Sequence, residues 1–193
     1  VQLETVDKIW EREADESRLW LIGEINNKSV FPVQAALERI GSKDNNHPEE
    51  EVVYIYFNSR GGSLTDTMAL SGSIVSSPAV IVGVATGIVA SAAVFSYVSC
   101  NLRYIMPGSF ILLHAPRYGT FGVLSQELSS RACWVETFED ALVRLLAERT
   151  NKSQKHYRKV LSGEMEAWLD AKTAIEWGIA DGYWSDYMQG GRK

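Results

Sequence analysis

Few side chains in this sequence could do acid–base or nucleophilic work, and their surroundings separate them. The chain has three histidines. His47 lies in the acidic run Asn45-Asn-His-Pro-Glu-Glu-Glu51 and reads as a solvated residue. His156 lies in Lys152-Ser-Gln-Lys-His-Tyr-Arg-Lys159 and reads as exposed on a solvated helix face. His114 differs. It ends the apolar run Phe110-Ile-Leu-Leu113 and precedes Ala115-Pro116, so a strand carries it out of the core and a proline ends regular pairing just beyond. An imidazole presented this way can act as a general base, or it can stand as a histidine at the rim of the core.

The candidate nucleophile is Ser91, in Ala85-Thr-Gly-Ile-Val-Ala-Ser91-Ala-Ala-Val-Phe95. The pattern predicts a strand, a turn allowed by Gly87, and a small-residue helix that starts near Ala90. Alanine neighbours leave room for a carbonyl to approach the hydroxyl. The helix N-terminus supplies amide donors and a positive dipole end where an oxyanion would form. The segment is not a GxSxG elbow, and alanine and serine can equally serve close helix packing. A third element is Gly61-Gly62 in Asn58-Ser-Arg-Gly-Gly-Ser63, read as a turn after the strand Val52–Phe57. Glycine lets the backbone approach a ligand closely and turn an amide inward. The pair is no phosphate loop, because the GK[ST] of that motif is missing.

The elements that must position these residues alternate in type, which is the α/β signature. Arg18 to Gly23 is a short strand. Val30 to Ile40 has helical spacing, with Pro32 placed in its first turn. Val52 to Phe57 is β-branched and aromatic throughout, as in a strand buried on both faces. Leu64 to Ser76 returns to helical spacing, Val80 to Ala85 is a second buried strand, and Arg103–Met106 and Phe110–Leu113 are two short ones. Val123 to Arg149 is a long amphipathic helix with Leu128, Ala132, Val135, Phe138, Leu142, Leu145 and Leu146 near one face. Its length predicts that part of it projects to meet another subunit. A short helix follows over Lys155–Leu161. Asp170 caps a further helix that stops at Gly178, and Ile179 to Asp181 reads as a last strand.

The totals describe one soluble globular domain: 193 residues, 46% hydrophobic and 22% charged. The domain reading is an N-terminal arm over 1–17, a main globular domain over 18–187 and a tail over 188–193. A net charge of −5 argues against nucleic acid as the main partner, since phosphate binding needs clustered Lys and Arg. No stretch reaches the ~18 continuous apolar residues of a membrane span, so no membrane partner is expected. The charged N-terminus is no signal peptide. Cys100 and Cys133 belong to no metal-binding pattern, so no metal and no other cofactor is expected; both read as reduced, partly buried core thiols, although the two could also form one bridge. These features fit a cytoplasmic protein.

Taken together the three segments are more specific than any one. Asn58-Ser-Arg-Gly-Gly-Ser63, then Gly87-Ile-Val-Ala-Ser91-Ala, then Met106-Pro-Gly-Ser-Phe-Ile-Leu-Leu-His114-Ala-Pro116 resemble, in order and spacing, the proteolytic subunit of the Clp protease. That family reads NSPGGS, GxAASMG and LPNSxxMIHQP. The closing Ala174-Ile-Glu-Trp-Gly178-Ile-Ala-Asp181 resembles its AVEYGLVD. The resemblance implies an α/β fold of the ClpP/crotonase-like type, a spiral of β-β-α units with a projecting helical handle at about 117–150. It implies that Ser91 is the nucleophile of a serine endopeptidase and His114 its general base, with the amides of Gly62 and Ala92 as oxyanion hole. An extended peptide would lie between Arg60–Thr65 and Arg117–Gly122. The family's triad acid, an Asp, is absent here. Aligning Trp168 with the family's aromatic selects Glu166, an ungapped alignment selects Glu164, and Asp170 fits by type but reads as a helix cap. Arg60 replaces the usual proline, and Ala92-Ala93 replace Met-Gly.

The resemblance further implies peptide or unfolded-protein substrates, a homo-oligomer of heptameric rings stacked in pairs, and docking to a Clp-type unfoldase ATPase. Two other readings share the fold: a catalytically silent ring subunit, and an acyl-CoA hydratase or hydrolase, for which a serine beside a base-positioned histidine has no needed role.

Overall fold

Two long strands rich in β-branched and aromatic residues form the middle of the sheet, β2 (Val52–Gly62) and β3 (Val80–Ala90), paired in parallel. The computed structural model describes residues 17–42, 51–116 and 125–190, with the backbone alone for Ser42 and residues 125–134. β1 (Arg18–Ile25) flanks β2, and β4 (Leu102–Ile105) followed by β7 (Gly182–Tyr183) continues the sheet beyond β3 in the order β1-β2-β3-β4-β7. Parallel neighbours need crossovers, and helices supply them: α1 (Asn27–Ser42), α2 (Leu64–Ser76) and α3 (Ala92–Ser99).

β3 then changes partners. Its first half pairs with β4, from Val82–Leu102 to Ala85–Ile105, while Ile88, Val89 and Ala90 pair with β5 (Phe110–Leu113). β5 in turn pairs antiparallel with β6 (Ala167–Asp170). Between β5 and β6 run α4 (Ser125–Arg149) and α5 (Gln154–Leu161), and α6 (Ala171–Glu176) follows directly. α7 (Trp184–Gly190) ends the described chain. This is the α/β spiral expected from the sequence.

The main core lies on the helical side of the sheet. Leu21, Ile25, Val53, Ile55, Phe57 and Ile81 meet Val33 and Leu37 of α1, Leu70 and Ile74 of α2, and Val94 and Val98 of α3. Phe138, Leu142 and Leu146 of α4 and Tyr157 and Val160 of α5 extend it. The opposite face carries a smaller cluster of Tyr56, Val82 and Val84. α7 lies over it: Trp184 meets Tyr54 and Tyr56 edge-on at 5.8 and 6.1 Å, and the Tyr187 and Tyr54 hydroxyls are 3.2 Å apart. Trp20 stacks on Tyr56 at 4.3 Å.

Arg103, nearly buried, binds the layers together. It pairs with Asp181 at 2.6 Å and donates to the Arg149 carbonyl at 2.6 Å, while Arg149 donates to the carbonyls of Val98 and Cys100. The end of α4 is thereby tied to the end of α3, β4 and the segment before β7.

Several boundaries differ from expectation. α1 starts earlier, because the Asn26 side chain accepts the Lys28 and Ser29 amides at 3.0 and 3.2 Å, so Pro32 falls past the first turn. The stretch Asn58–Gly62 is not a turn, and Gly87 does not end β3: both strands run on with shifted register. Ile179–Asp181 is not a strand. The amides of Ile179 and Ala180 return to the Ala174 carbonyl at 2.9 and 3.2 Å behind Gly178 (φ 72°), closing α6 instead. Nor is His156 exposed. Its ring packs edge-on against Trp177 at 4.6 Å, and its Nε2 is buried without a hydrogen-bond partner. β6 and α7 carried no sequence expectation. Among the described residues no helix is long and apolar enough to cross a membrane.

Candidate active site

Ser91 sits between the last residue of β3 and the first of α3, with φ 54° and ψ −128°. It is the one described non-glycine residue with positive φ, a region that costs an L-residue about 1–3 kcal/mol. The surroundings hold it there: its amide donates to the Leu112 carbonyl at 2.8 Å, and its carbonyl accepts from Val94 at 3.1 Å. Its hydroxyl makes no capping bond to α3. The sequence, which lacks the elbow signature, gave no sign of this geometry.

Gly61 (φ 95°) lies directly against this bend. A Cβ there would fall 2.7 Å from the Ser91 Cβ and 2.8 Å from the Ala90 carbonyl oxygen. Gly62 (φ 153°) is as constrained from the other side, since a Cβ would meet the backbone of Ile25. Only glycine fits either place. Ala92, buried, is the first residue of α3, so its amide has no acceptor within the helix.

His114 follows β5, and its Nδ1 lies 2.7 Å from the Ala115 carbonyl oxygen. A carbonyl only accepts, so this bond puts the ring proton on Nδ1 and leaves the Nε2 lone pair for a proton from elsewhere. Among the described hydrogen bonds none joins Ser91 to His114. Catalytic bonds are often open in unliganded enzymes and close on the substrate.

The β5–β6 register separates the acid candidates. Leu113 pairs with Ala167, so His114 and Glu166 are the next residues in line at the end of the ladder. Residues directly opposite each other share a face of the sheet. Asp170 pairs with Phe110 at the far end, and its carboxylate accepts the Thr173 amide at 2.8 Å as the cap of α6. Bonding from Thr173 holds that carboxyl below its ordinary range. Glu164 is exposed, with the Ser162 hydroxyl 3.4 Å away. β3 and β5 run parallel and end at one edge of the sheet, and the antiparallel β6 begins there. That is why residues so distant in sequence gather. Arg117–Gly122, His47 and the N-terminal arm lie outside the described residues, apart from Ser17 in the arm.

Cys100 is fully buried and bonds the Ser96 carbonyl, and burial pushes its thiol up to about 12. It is inert packing beneath α3. The Cys133 side chain lies outside the described residues. Among the described residues no cluster of His, Cys, Asp and Glu could hold a metal ion.

Comparison with known proteins accords with the order of motifs. The family model described as Clp protease matches residues 2–185. The ATP-dependent Clp protease proteolytic subunit 2 of Tropheryma whipplei (strain Twist) is 29% identical over 180 residues, covering 92% of this chain and 96% of the relative. The proteolytic subunit 1 of Leifsonia xyli subsp. xyli (strain CTCB07) is 26% identical over 175 residues, covering 90% and 85%. The proteolytic subunit 2 of Mycolicibacterium paratuberculosis (strain ATCC BAA-968 / K-10) is 28% identical over 181 residues, covering 93% and 87%. With nearly the whole chain matched and its strands wound into the ClpP/crotonase-like spiral, the protein belongs to the Clp protease family.

Proposed function

We propose that the chain is an active serine endopeptidase subunit of a self-compartmentalised, Clp-type protease. The observation that carries this reading is the strained Ser91 bend, backed by Gly61 and set at the sheet edge where β5 delivers His114. Strain of this kind persists where the surrounding structure over-determines it, and a packing serine would need none.

In this mechanism Ser91 Oγ attacks the scissile carbonyl of an extended peptide while His114 Nε2 takes its proton. The amides of Gly62 and Ala92 receive the oxyanion, each donor typically worth ~3 kcal/mol in the transition state. The C–N bond then breaks, the imidazolium returns the proton to the leaving amine, and water releases the acyl group by the same route. Glu166 supplies negative charge for the imidazolium from the end of β6. The Ala115 carbonyl already holds the tautomer that the base needs.

Substrates are unfolded polypeptides delivered by a Clp-type unfoldase ATPase, and the working form is a homo-oligomer of heptameric rings stacked in pairs, with α4 in the ring-to-ring contact. Support for the partner comes from relatives named as subunits of an ATP-dependent protease.

Intact mass after incubation with a fluorophosphonate tests the reading. Wild type should gain one adduct, and Ser91→Ala none. Glu166→Gln should then lower kcat for a peptide substrate by at least about tenfold, while Asp170→Ala should lower thermal stability and spare the chemistry. An assembled wild-type ring that gains no adduct would make the chain a silent ring subunit.

A further inference from the structure

Asn58 stands where both neighbouring strands lose register with β2. On one side Ile22 pairs with Asn58 and the ladder resumes at Glu24 with Gly61. On the other, Phe57 pairs with Ala85 and the ladder resumes at Ser59 with Val89. Thr86, Gly87 and Ile88 therefore face a single residue of β2, and a regular ladder cannot cross the gap. Side chains cross it instead. The Thr86 hydroxyl donates to the Phe57 carbonyl at 3.1 Å, and the Ile88 amide donates to Asn58 Oδ1 at 3.2 Å. On β2 itself the buried Ser59 hydroxyl accepts the Gly61 amide at 3.1 Å.

Gly87 explains itself in the same place. A Cβ there would fall 2.7 Å from Asn58 Oδ1, and its nearest neighbours would all be atoms of the Asn58 side chain. Gly87 is not among the positive-φ glycines, so its backbone raises no objection to alanine. Beyond the gap each strand carries one half of the site: Val89-Ala90-Ser91 on β3, and Ser59-Arg-Gly-Gly62 on β2.

We propose that Asn58 is a positioning residue for the reaction. By holding the Ile88 amide across the register gap it sets the Ser91 end of β3 against the Gly61–Gly62 end of β2, and Gly87 is glycine to admit it. This inference rests on the peptidase reading above. It needs only the acceptor oxygen of Asn58, because the amide NH2 makes no bond in this role.

The test uses the full-length assembled protein carrying Asn58→Leu, Asn58→Asp, Asn58→Ala, Gly87→Ala, or the Asn58→Ala/Gly87→Ala pair. Readouts are fluorophosphonate labelling rate, kcat and KM on a peptide substrate, thermal midpoint, and amide exchange over 59–63 and 86–92. Asn58→Leu should slow labelling and lower kcat by about 10- to 100-fold with KM little changed, and should speed exchange in those two segments alone. Asn58→Asp, which keeps the acceptor, should behave like wild type. Gly87→Ala should be damaging by itself and nearly silent on top of Asn58→Ala. Loss in Asn58→Asp equal to that in Asn58→Leu, or additive losses in the pair, would overturn the proposal. If wild type takes no label at all, the peptidase reading fails separately. The exchange pattern then decides the assignment: unchanged exchange in Asn58→Leu refutes it.

Discussion

Ser91 is held in a conformation that favours glycine, and its neighbours rather than its own preference keep it there. Two hydrogen bonds, with Leu112 and Val94, and the close approach of Gly61 at its back leave the bend nowhere to relax. Removing the hydroxyl and relieving the backbone are therefore separable. Ser91→Ala should leave the strain in place, whereas Ser91→Gly should raise stability relative to it by about 1 kcal/mol. Thermal unfolding of the two variants checks this. A Ser91→Gly protein no more stable than Ser91→Ala would mean that the bend is unstrained. The arrangement also explains why Ala92-Ala93 suffice where relatives of the family pattern carry Met-Gly. The backbone demand falls on positions 61, 62 and 91, and α3 begins in ordinary helix at Ala92.

Among the elements, the α5–α6 pair frames the start and end of β6, and it contains a histidine whose Nε2 is buried without a hydrogen-bond partner. His156 lies in the first turn of α5 against Trp177, beside Tyr157, with the charges of Lys152 and Lys159 nearby. Burial first, then those two lysines, lowers its pKa from the ordinary 6.5. The unfolded chain thus binds the proton at higher pH than the folded one does. Stability is full above 6.5 and is lost as pH falls from there to the folded value. The melting temperature should fall as the pH is taken below about 6.5, and His156→Gln should flatten that fall. An identical pH profile in the variant would exclude His156 as its source. This histidine also marks where sequence reading ran out. Lysines and arginines on its helix suggested solvent, but the helix face is set by Trp177, which arrives from another element. Helices at Leu64–Ser76 and the end at Arg149 were legible from apolar spacing, and the helix after Asp170 from its cap and glycine stop. The Ser91, His114 and Gly-Gly segments were legible as a set from motif order. The continuation of β2 and β3 through glycine-rich segments was not, because their pairing there depends on side chains filling a register gap. β6 was hidden by its mixed Ala-Trp-Leu-Asp composition.

For the molecule as a whole, Arg103 is the tie between layers. It is a nearly buried guanidinium whose bonds run to Asp181 and to the end of α4. Arg103→Leu should destabilise the fold by about 3 kcal/mol, because it leaves the Arg149 carbonyl without its donor and Asp181 with the backbone amide of residue 103 but no cation. Urea unfolding of the assembled protein measures this, and a loss under about 1 kcal/mol would show that solvent takes over the role. The innermost strands have a further consequence for a protein of this kind. On the peptidase reading proposed above, any segment that opens would be exposed to cutting by a neighbouring copy. β2 is paired with β1 and β3 over most of its length, and β3 with β2, β4 and β5 outside the gap at Thr86–Gly87, so most of the chain leading to Gly62 and Ser91 is held inside the sheet. On that reading, the proposed nucleophile and oxyanion amides are carried by strands whose pairing resists opening.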